Sequence, residues 1–547
     1  MVMITVDLET NLSHDTIWCA GVQKTESPNG SLTFDSAELR QMLSTADGIV
    51  GHNIVFFDKP VLKNCWQVDV DVPVWDTLVM ARLLDPTPVG GHSLKEWGRR
   101  IGIAKMDFDV DDFDSGYTDE MGEYCIRDVE VTTKLYHYLT AKLKKLGFSD
   151  LSIKLEHEVS EITAQQVRNG FKLDMDVATK WQLEMATRID QITAELQDRF
   201  PPIITIRVSD KTGKRLKDHV EEFNVGSRQQ IAKRLSKLGV KWKKLTPTGS
   251  PVVDESTLAG VDIPEAKLCA EYLGLVKLKG MVDSWLKYVD KDTHRIHGYV
   301  NSCGAVTGRM THNKPNLAQI PSLKIARQCF TVEEGNVLVG CDASGLELRC
   351  LAHYMNDDEY TRQILEGDIH SYNQHAAGLP ERSMAKTMIY GLIYGAGDAK
   401  LGQIVGGGAK EGKKIRDTFL TKLPALRKLI DKAKGIAERT KRINGIDGRF
   451  IKVDEDYKVL NRLLQSCGAI VMKVAVRNCC HALDRLGVEY KLVAQVHDEL
   501  QIECSEHDAE LVGGVARQAI IDAGVELNMR CPMDAEYRIG SNWSETH

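Results

Sequence analysis

Two carboxylates set in apolar runs carry the most telling chemistry of this chain. Asp342 ends the run NVLVGCDAS, and Glu347 follows in CDASGLELRCLAH, Cys341 to His353, where a helix-like stretch opens. A second apolar run, VAQVHDELQIE, brings His497, Asp498 and Glu499 into a strand. Between the two lies ERSMAKTMIYGLIYG, with Arg382, Lys386, Tyr390 and Tyr394 four residues apart. On a helix, residues so spaced follow one another along nearly one face. Phosphoryl transfer at a 3′-hydroxyl needs a lowered barrier to alkoxide formation and neutralisation of the triphosphate charge. Two Mg²⁺ ions about 3.5–4 Å apart supply both, held by carboxylates on a rigid scaffold. A guanidinium and an ammonium on one helix face suit triphosphate oxygens, with an aromatic ring beside the base and sugar. An aspartate at a strand end, or a cationic row on a helix, is by itself more often structural or solvated. Together, two strand-borne aspartates flanking such a helix are fitted to join a nucleoside triphosphate to a nucleic acid.

A second group of acids lies near the start. VDLET places Asp7 and Glu9 at i and i+2, on one face of a strand. HNIVFFD supplies Asp58, and EYCIRD supplies Tyr124 and Asp128 one helical turn apart. Each piece is weak alone, since DxE is common; their order, with WDTLVMARLL and HSLKEWG between, gives them weight. Asp76, in WDTL, is expected to be structural or to support the acids from behind.

The elements that must position these residues can be read coarsely. Residues 1–147 alternate short β-like and helical runs, as an α/β layer would, and GFSDL then breaks the pattern. From LSIKLEHEVSEITAQQVRNG to about Lys287 the chain reads as mostly helical, interrupted by PPIITIRVSD and KLTPTGSPVVD. Helices dominate again from Asp357 to about Thr440. A turn-rich insert, RINGIDGRFIKVDED, precedes the long amphipathic helix KVLNRLLQSCGAIVMKVAVRNCCHALDRLG, and the strand–turn–strand KLVAQVHDELQIEC follows. GGAKEGKK, Gly407 to Lys414, nearly spells a phosphate-binding loop, but it lacks the Ser/Thr for Mg²⁺ and no β-run precedes it. It reads as a surface turn.

DASGLELR, RxxxKxxxYxxxYG and VHDE, in that order, resemble the motifs of family A DNA polymerases. TGRMTHNKPNLAQIPS and NRLLQSCGAIVMK strengthen the resemblance, above all to the short bacteriophage replicative type. The early acids resemble the DEDD type of 3′–5′ exonuclease. The resemblance covers nearly the whole chain and is weakest across 200–300. It implies a multidomain α/β and α+β fold: an RNase H-like exonuclease at 1–147, then a right hand. The hand would have its thumb at 148–292, palm at 293–355 and 457–547, and fingers at 356–456. Asp342 and Asp498, with Ala343, would hold two Mg²⁺ for polymerisation; Asp7, Glu9, Asp58 and Asp128 would hold two more, Mn²⁺ being able to substitute. Tyr124 would orient the attacking water. His370, Arg382 and Lys386 match triphosphate contacts, and Tyr394 with Gly395 the place where the template base is stacked. Glu347 with Tyr390 matches the gate against a 2′-hydroxyl, and tyrosine at 390 implies weak discrimination against dideoxynucleotides. Arg309 and Gln465 match probes of the minor groove at the primer end, where a donor senses shape without reading sequence. His497 and Glu499 complete the substrate contacts. Substrates would be primer–template DNA and dNTPs, with a helicase–primase and a single-strand-binding protein as further partners.

Composition agrees with this and narrows it. A chain of 547 residues suggests three or four domains, and 43% hydrophobic with 27% charged residues is ordinary for a globular protein. No apolar run approaches membrane-spanning length, and MVMITVDLET has neither a charged n-region nor an h-region. A cytoplasmic protein is expected, in the host bacterium if phage-encoded, with no membrane partner. Thirteen cysteines without CxxC or zinc spacing read as buried reduced thiols. The net charge of −7 divides unevenly: residues 1–150 hold 14 cations against 24 anions, and the remainder 56 against 53. The segment 207–244 carries 12 cations and 4 anions around a Gly/Ser-containing stretch, which favours phosphate contact. The chain opens directly on the exonuclease strand, so no 5′-nuclease domain is expected, which favours replication over primer removal. Where phage relatives carry a long basic thumb insertion that binds host thioredoxin, this chain has only IITIRVSDKTGKRLKDHVEEF. That argues against thioredoxin dependence. A repair polymerase, separated by low processivity, and a silent DNA-binding scaffold are the competing readings; six intact metal-ligand acids speak against the scaffold.

Overall fold

A computed structural model describes residues 2–547 apart from 109–112, 210 and 243. The last two fall in the basic 207–244 segment, so those two positions of that expectation lie outside the described residues. The chain forms two compact units, 1–170 with 298–320 and 332–547, and 171–297 with 321–331.

Two larger sheets organise the larger unit, beside the short ribbons Tyr299–Asn301 with Thr311–Asn313 and Arg442–Asn444 with Phe450–Lys452. The first has five strands, with Met3–Thr10 at its centre, antiparallel to Ile17–Lys24 and parallel to Gly48–Gly51. Met3–Thr10 is buried along almost its whole length, as a strand covered on both faces must be. The long helix Asp119–Leu146 packs on this sheet, begun by the Thr118 hydroxyl accepting from Met121 N–H and ended at Gly147 in the left-handed region. Gly21, on the second strand, makes the close approach possible: a Cβ there would lie 3.0 Å from the Cys125 sulfur and carbonyl oxygen. The second sheet is antiparallel, in the order Tyr490–Val496, Glu499–Ser505, Asn336–Ala343, Ala535–Gly540. Behind it lie the helices Val459–Leu486 and Ala509–Glu526, in a large apolar core.

Five readings of the sequence differ from the structure here. The GFSDL break does separate two helices, but the following helix, Asp150–Asn169, belongs to the larger unit, so the separate unit starts at Phe171 rather than at 148. The reason is packing: Glu156 bonds to Arg449 and Lys473, and Asn169 to the Leu492 carbonyl at 3.0 Å. Residues 321–331, expected in the palm, fall in the second unit because Phe330–Thr331 pairs with Phe171–Leu173. The helix Val459–Leu486 is buried on nearly every face instead of being amphipathic. The stretch Asp456–Leu486 is in fact long and apolar enough to cross a membrane, but 78% of its apolar window is buried in the fold, as in a core helix. Most of the Gly407–Lys414 segment is not a turn: Ala409–Lys422 is helical.

In the smaller unit, helices Met175–Arg199 and Pro264–Tyr288 pair, and the run expected to replace the long insertion forms a two-stranded ribbon, Ile203–Thr205 with His219–Glu221. Ile204, Ile206, Val208 and Val220 on that ribbon are exposed. All thirteen cysteines are free and all but Cys65 are buried, so the reading of reduced core thiols agrees with the fold.

Candidate active sites

Asp342 and Asp498 meet at one end of the two interior strands of the antiparallel sheet. The strand Asn336–Ala343 runs out at Asp342, and Ala343 N–H donates to the Asp498 carbonyl at 2.9 Å. His497 and Asp498, expected within the strand, instead form the two-residue turn between Val496 and Glu499. His497 has φ of 57°, a conformation uncommon outside glycine and one that turns of this length require. Both acids line a 380 Å³ cavity with Arg309, Glu347, Tyr390, Tyr394 and His497. Glu347 follows Gly345, whose φ of 61° starts the helix Leu346–Met355. Its Oε1 accepts from the Tyr394 hydroxyl at 2.6 Å and from Arg309 Nη2 at 3.4 Å. Burial, then Glu347, pushes the Tyr394 phenol up to about 12, and burial followed by Glu347 and Asp498 raises Tyr390. His497 is lowered by burial and Arg309.

The helix Arg382–Ile393 has the expected division of faces. Ala385, Met388, Ile389, Leu392 and Ile393 are buried, while Arg382 and Lys386 are exposed and Tyr390 is half-buried. Arg382 is already engaged: its Nε and Nη2 reach Asp368 at 2.6 and 3.0 Å, and that fork holds Asp368 far below the usual carboxylate range. His370, on the helix Ile369–Ala377, stands 6.4 Å from the Tyr390 ring, centre to centre, and is lowered by burial, Arg382 and Lys386. Gln465 is half-buried on Val459–Leu486 and is not among the cavity lining. Glu499 departs from expectation as a substrate contact. It pairs with Asp342 across the sheet, but its oxygens accept from Trp543 Nε1 at 2.6 Å and meet His547 Nδ1 at 2.9 Å. With Gln501 also on Oε1, this carboxylate is committed to the C-terminal segment.

The early acids converge on the other sheet. Asp7 and Glu9 point from the central strand, and Asp58 opens the helix Asp58–Trp66, where its Oδ1 accepts from Leu8 N–H at 3.2 Å. Asp128 joins from the long helix. Asp76 is structural, as expected: it caps the helix Thr77–Leu84 and accepts from Asn53 and Val55 N–H, fixing the loop that delivers Asp58. The acids pay for their crowding in proton affinity. Burial and then Asp128 push Glu9 up to about 9 and raise Asp7 well above its ordinary range; burial lifts Asp58 to about 7 and also raises Asp128. Asp128 Oδ1 is buried without a hydrogen-bond partner. Buried, mutually repelling oxygens with an orphan acceptor are a donor set suited to hard divalent cations. The Cys125 sulfur is close enough to Asp7 and Glu9 to join them, but its thiol donates to the Asp7 carbonyl at 3.6 Å and is raised by its neighbour Cys19 and by burial. It stays a thiol.

Sequence comparison settles the kinship. A profile of the 3′–5′ exonuclease family matches residues 3–144, and one of DNA polymerase family A matches residues 205–545. This chain belongs to DNA polymerase family A. It is a DNA-directed DNA polymerase that carries a 3′–5′ exonuclease domain. The DNA-directed DNA polymerases of Enterobacteria phage T3 and Escherichia phage T7 are each 32% identical to it, over 91% of this chain and 92% of theirs. DNA polymerase I of Aquifex aeolicus is 27% identical over 93% of this chain and 90% of its own. Among solved structures, the POL domain of Pol1 from M. smegmatis in complex with DNA primer-template and dNTP superposes with a TM-score of 0.81 at 20% identity, covering 99% and 95% of the two chains; that likeness speaks for the fold. Domains of both families work with divalent metals.

Sequence reasoning missed several residues of this family A polymerase. Lys105 reaches Asp128 at 2.5 Å and lies over the Tyr124 ring, 4.6 Å from its centre. Burial would lower it, but Asp128 and Tyr124 raise it instead. A lone lysine in a loop gives no signal. His312 lines the polymerase cavity and is lowered to about 4 by burial and His497. Glu156, Arg449 and Lys473 form a buried charged cluster that only tertiary contact reveals.

Proposed function

We propose that this polymerase extends a primer on a DNA template at the Asp342–Asp498 pair and edits its 3′ end at the Asp7–Glu9–Asp58–Asp128 cluster. The observation that carries the reading is the Ala343–Asp498 backbone bond, which brings two acids from distant segments to the floor of one cavity. Asp342, Asp498 and Ala343 would hold two Mg²⁺, and the four early acids two more, with Mn²⁺ able to substitute. When bound, these ions lower the barrier to alkoxide formation and neutralise developing phosphate charge.

The side chains do the rest. Arg382 exchanges Asp368 for triphosphate oxygens and, with Lys386 and His370, holds the incoming dNTP in line. Tyr390 and Glu347 fill the space a 2′-hydroxyl would need. Tyr394, tied to Glu347 until a template base arrives, gives up that bond to stack the base beside Gly395. Arg309, Gln465 and His497 hold the primer end. In the editing site Tyr124 orients the attacking water, and bound cations would favour the ionised form of the crowded acids. In the hand, the sheet and its two rear helices serve as palm, the helices between as fingers, and the smaller unit as most of the thumb, with the 207–244 cations along the duplex. The likeness to phage polymerases supports genome replication in a bacterial cytoplasm, beside a helicase–primase and a single-strand-binding protein.

The test is extension of primed single-stranded DNA with dNTPs and Mg²⁺ by the parent, by Asp342→Ala and by Asp7→Ala/Glu9→Ala. The first variant should fail to extend yet still degrade single strands. The second should extend but leave a mismatched 3′ end intact. A parent that only degrades DNA at high dNTP would overturn the reading.

A further inference from the structure

Beside the polymerase cavity, which Lys473 also lines, four charged side chains are buried together. Glu156 Oε1 accepts from Arg449 Nη1 at 2.6 Å and from Lys473 Nζ at 2.5 Å. The rest of the Arg449 fork lies on Asp447, with Nε at 2.9 and 3.0 Å and Nη2 at 2.7 Å. Two positive and two negative groups close the charge. Asp447 and Arg449 sit in the tip of the hairpin whose strands are Arg442–Asn444 and Phe450–Lys452. That tip rests on Ser149, whose hydroxyl donates to the Asp447 carbonyl while also capping the helix Asp150–Asn169. Ser149 stands just beyond the last residue matched by the exonuclease profile.

The other side of the guanidinium supports a turn. Gly308 has φ of 77°, and a Cβ there would lie 2.7 Å from Arg449 Nη1, so only a bare backbone fits so close. Gly308 N–H donates to the Ala305 carbonyl at 2.8 Å, and Ala305 N–H to the Arg309 carbonyl at 3.1 Å. Val306 in the same turn packs on the apolar cluster that holds Ile443 and Ile451 of the hairpin. The next residue, Arg309, enters the cavity and meets Glu347.

We propose that Arg449 is a positioning residue for Arg309: anchored by Glu156, Asp447 and the Ser149 contact, its planar fork is the floor under the Ala305–Arg309 turn and sets where Arg309 meets the primer end. The inference rests on the reading of Arg309 as a minor-groove probe. A side chain that senses the shape of a base pair works only if its base is fixed, since a displacement of about 1 Å can cost on the order of 100-fold in rate. Buried charge of this kind is weak evidence for stability, because apolar residues of equal shape often serve as well. A fork pressed against a glycine next to a cavity residue is a specific arrangement that stability alone does not ask for.

The experiment uses Arg449→Lys, which keeps the positive charge between Glu156 and Asp447 but loses the flat fork under Gly308. It is compared with Arg309→Ala and with the double variant. Extension of matched and mismatched primer ends is measured in the Asp7→Ala/Glu9→Ala background, so that the mismatch survives. Each substitution is also placed in the proofreading parent, where degradation of single-stranded DNA reports an intact fold. Arg449→Lys is expected to lower kcat for matched ends by about 10-fold or more with little change in the KM for dNTP. The preference for matched over mismatched ends should shrink, and single-strand degradation should stay at the parental rate. In the Arg309→Ala background it should change nothing further. Effects that multiply in the double variant, or parental kcat and mismatch preference in Arg449→Lys, would overturn the proposal. If Arg309→Ala is itself parental, the minor-groove reading has failed, and the proposal falls with it by a separate route. Should Arg449→Lys not fold, Gly308→Ala removes none of the four buried charges but sets a Cβ 2.7 Å from Arg449 Nη1, so that the turn and the guanidinium must part; it must give the same kinetic pattern, and a parental pattern would count against the proposal.

Discussion

Tyr390 and Glu9 show how much a single side chain decides here. Tyr390 lines the cavity with a phenol beside Glu347 and Asp498. A hydroxyl next to the sugar can provide the hydrogen bond that a missing 3′-hydroxyl leaves unmade, which is the physical basis for accepting dideoxynucleotides. Tyr390→Phe removes it. A hydrogen bond to a charged group contributes about 1.5–3 kcal/mol, so the ratio of kcat/KM for dNTP over ddNTP should rise by roughly 10- to 100-fold. Single-nucleotide incorporation kinetics would show it, and an unchanged ratio would refute it. Glu9 makes the opposite kind of statement. Burial followed by Asp128 raises it from 4.5 to about 9, so the folded state binds its proton more tightly than the unfolded one. The resulting stability is fully present below about 4.5 and is lost as pH rises through about 9. Asp58 acts alike between 3.8 and about 7. In a chelator, the melting temperature should therefore fall from pH 6 to pH 8.5, Glu9→Gln should reduce the fall, and Mg²⁺ should raise the melting point more at the higher pH. Melting curves that are parallel with and without Mg²⁺ across that range would contradict this.

At the scale of elements, the fold explains why each acid arrives where it does. The exonuclease helix can lie close to the strand Ile17–Lys24 because Gly21 leaves room, and the Asp76 caps fix the loop that brings Asp58. In the antiparallel sheet, a two-residue turn at His497–Asp498 and the Ala343 bond place two acids side by side. The helix Asp150–Asn169 is bound through Glu156 to Arg449 and to Lys473 of the helix Val459–Leu486, and loss of the carboxylate would leave both cations buried and short of a partner. Glu156→Ala is therefore expected to cost about 3–5 kcal/mol of unfolding free energy. Urea titration of the full chain would measure it, and a loss under about 1 kcal/mol would mean that water replaces the carboxylate there.

At the scale of the whole molecule, opposed charge is spread along one chain. The net charge is −7, yet the 207–244 segment has 12 cations against 4 anions, so DNA affinity should fall with salt although the protein is acidic. The ribbon at 203–221 takes the place where an inserted domain was looked for, and processive extension of a primed single strand should be unchanged by host thioredoxin. A several-fold longer product with thioredoxin would overturn that expectation. The sequence by itself pointed to the chemistry: residue type and local spacing on strand and helix singled out Asp342, Asp498 and the Arg382–Lys386–Tyr390 row, because periodicity is a local property, and the early acids, each weak alone, were read from the order of their motifs and the resemblance it carries. It also located the strands that end at Asp342 and around Asp498, since apolar runs closed by turn residues need no partner to be recognised. The boundary at Phe171, the commitment of Glu499 to Trp543 and His547, the engagement of Arg382 by Asp368, and the cluster of Glu156, Arg449 and Lys473 were decided only by the tertiary structure. Each depends on which surfaces meet across hundreds of residues, and a buried charge or a bare glycine shows its purpose only beside the group it faces.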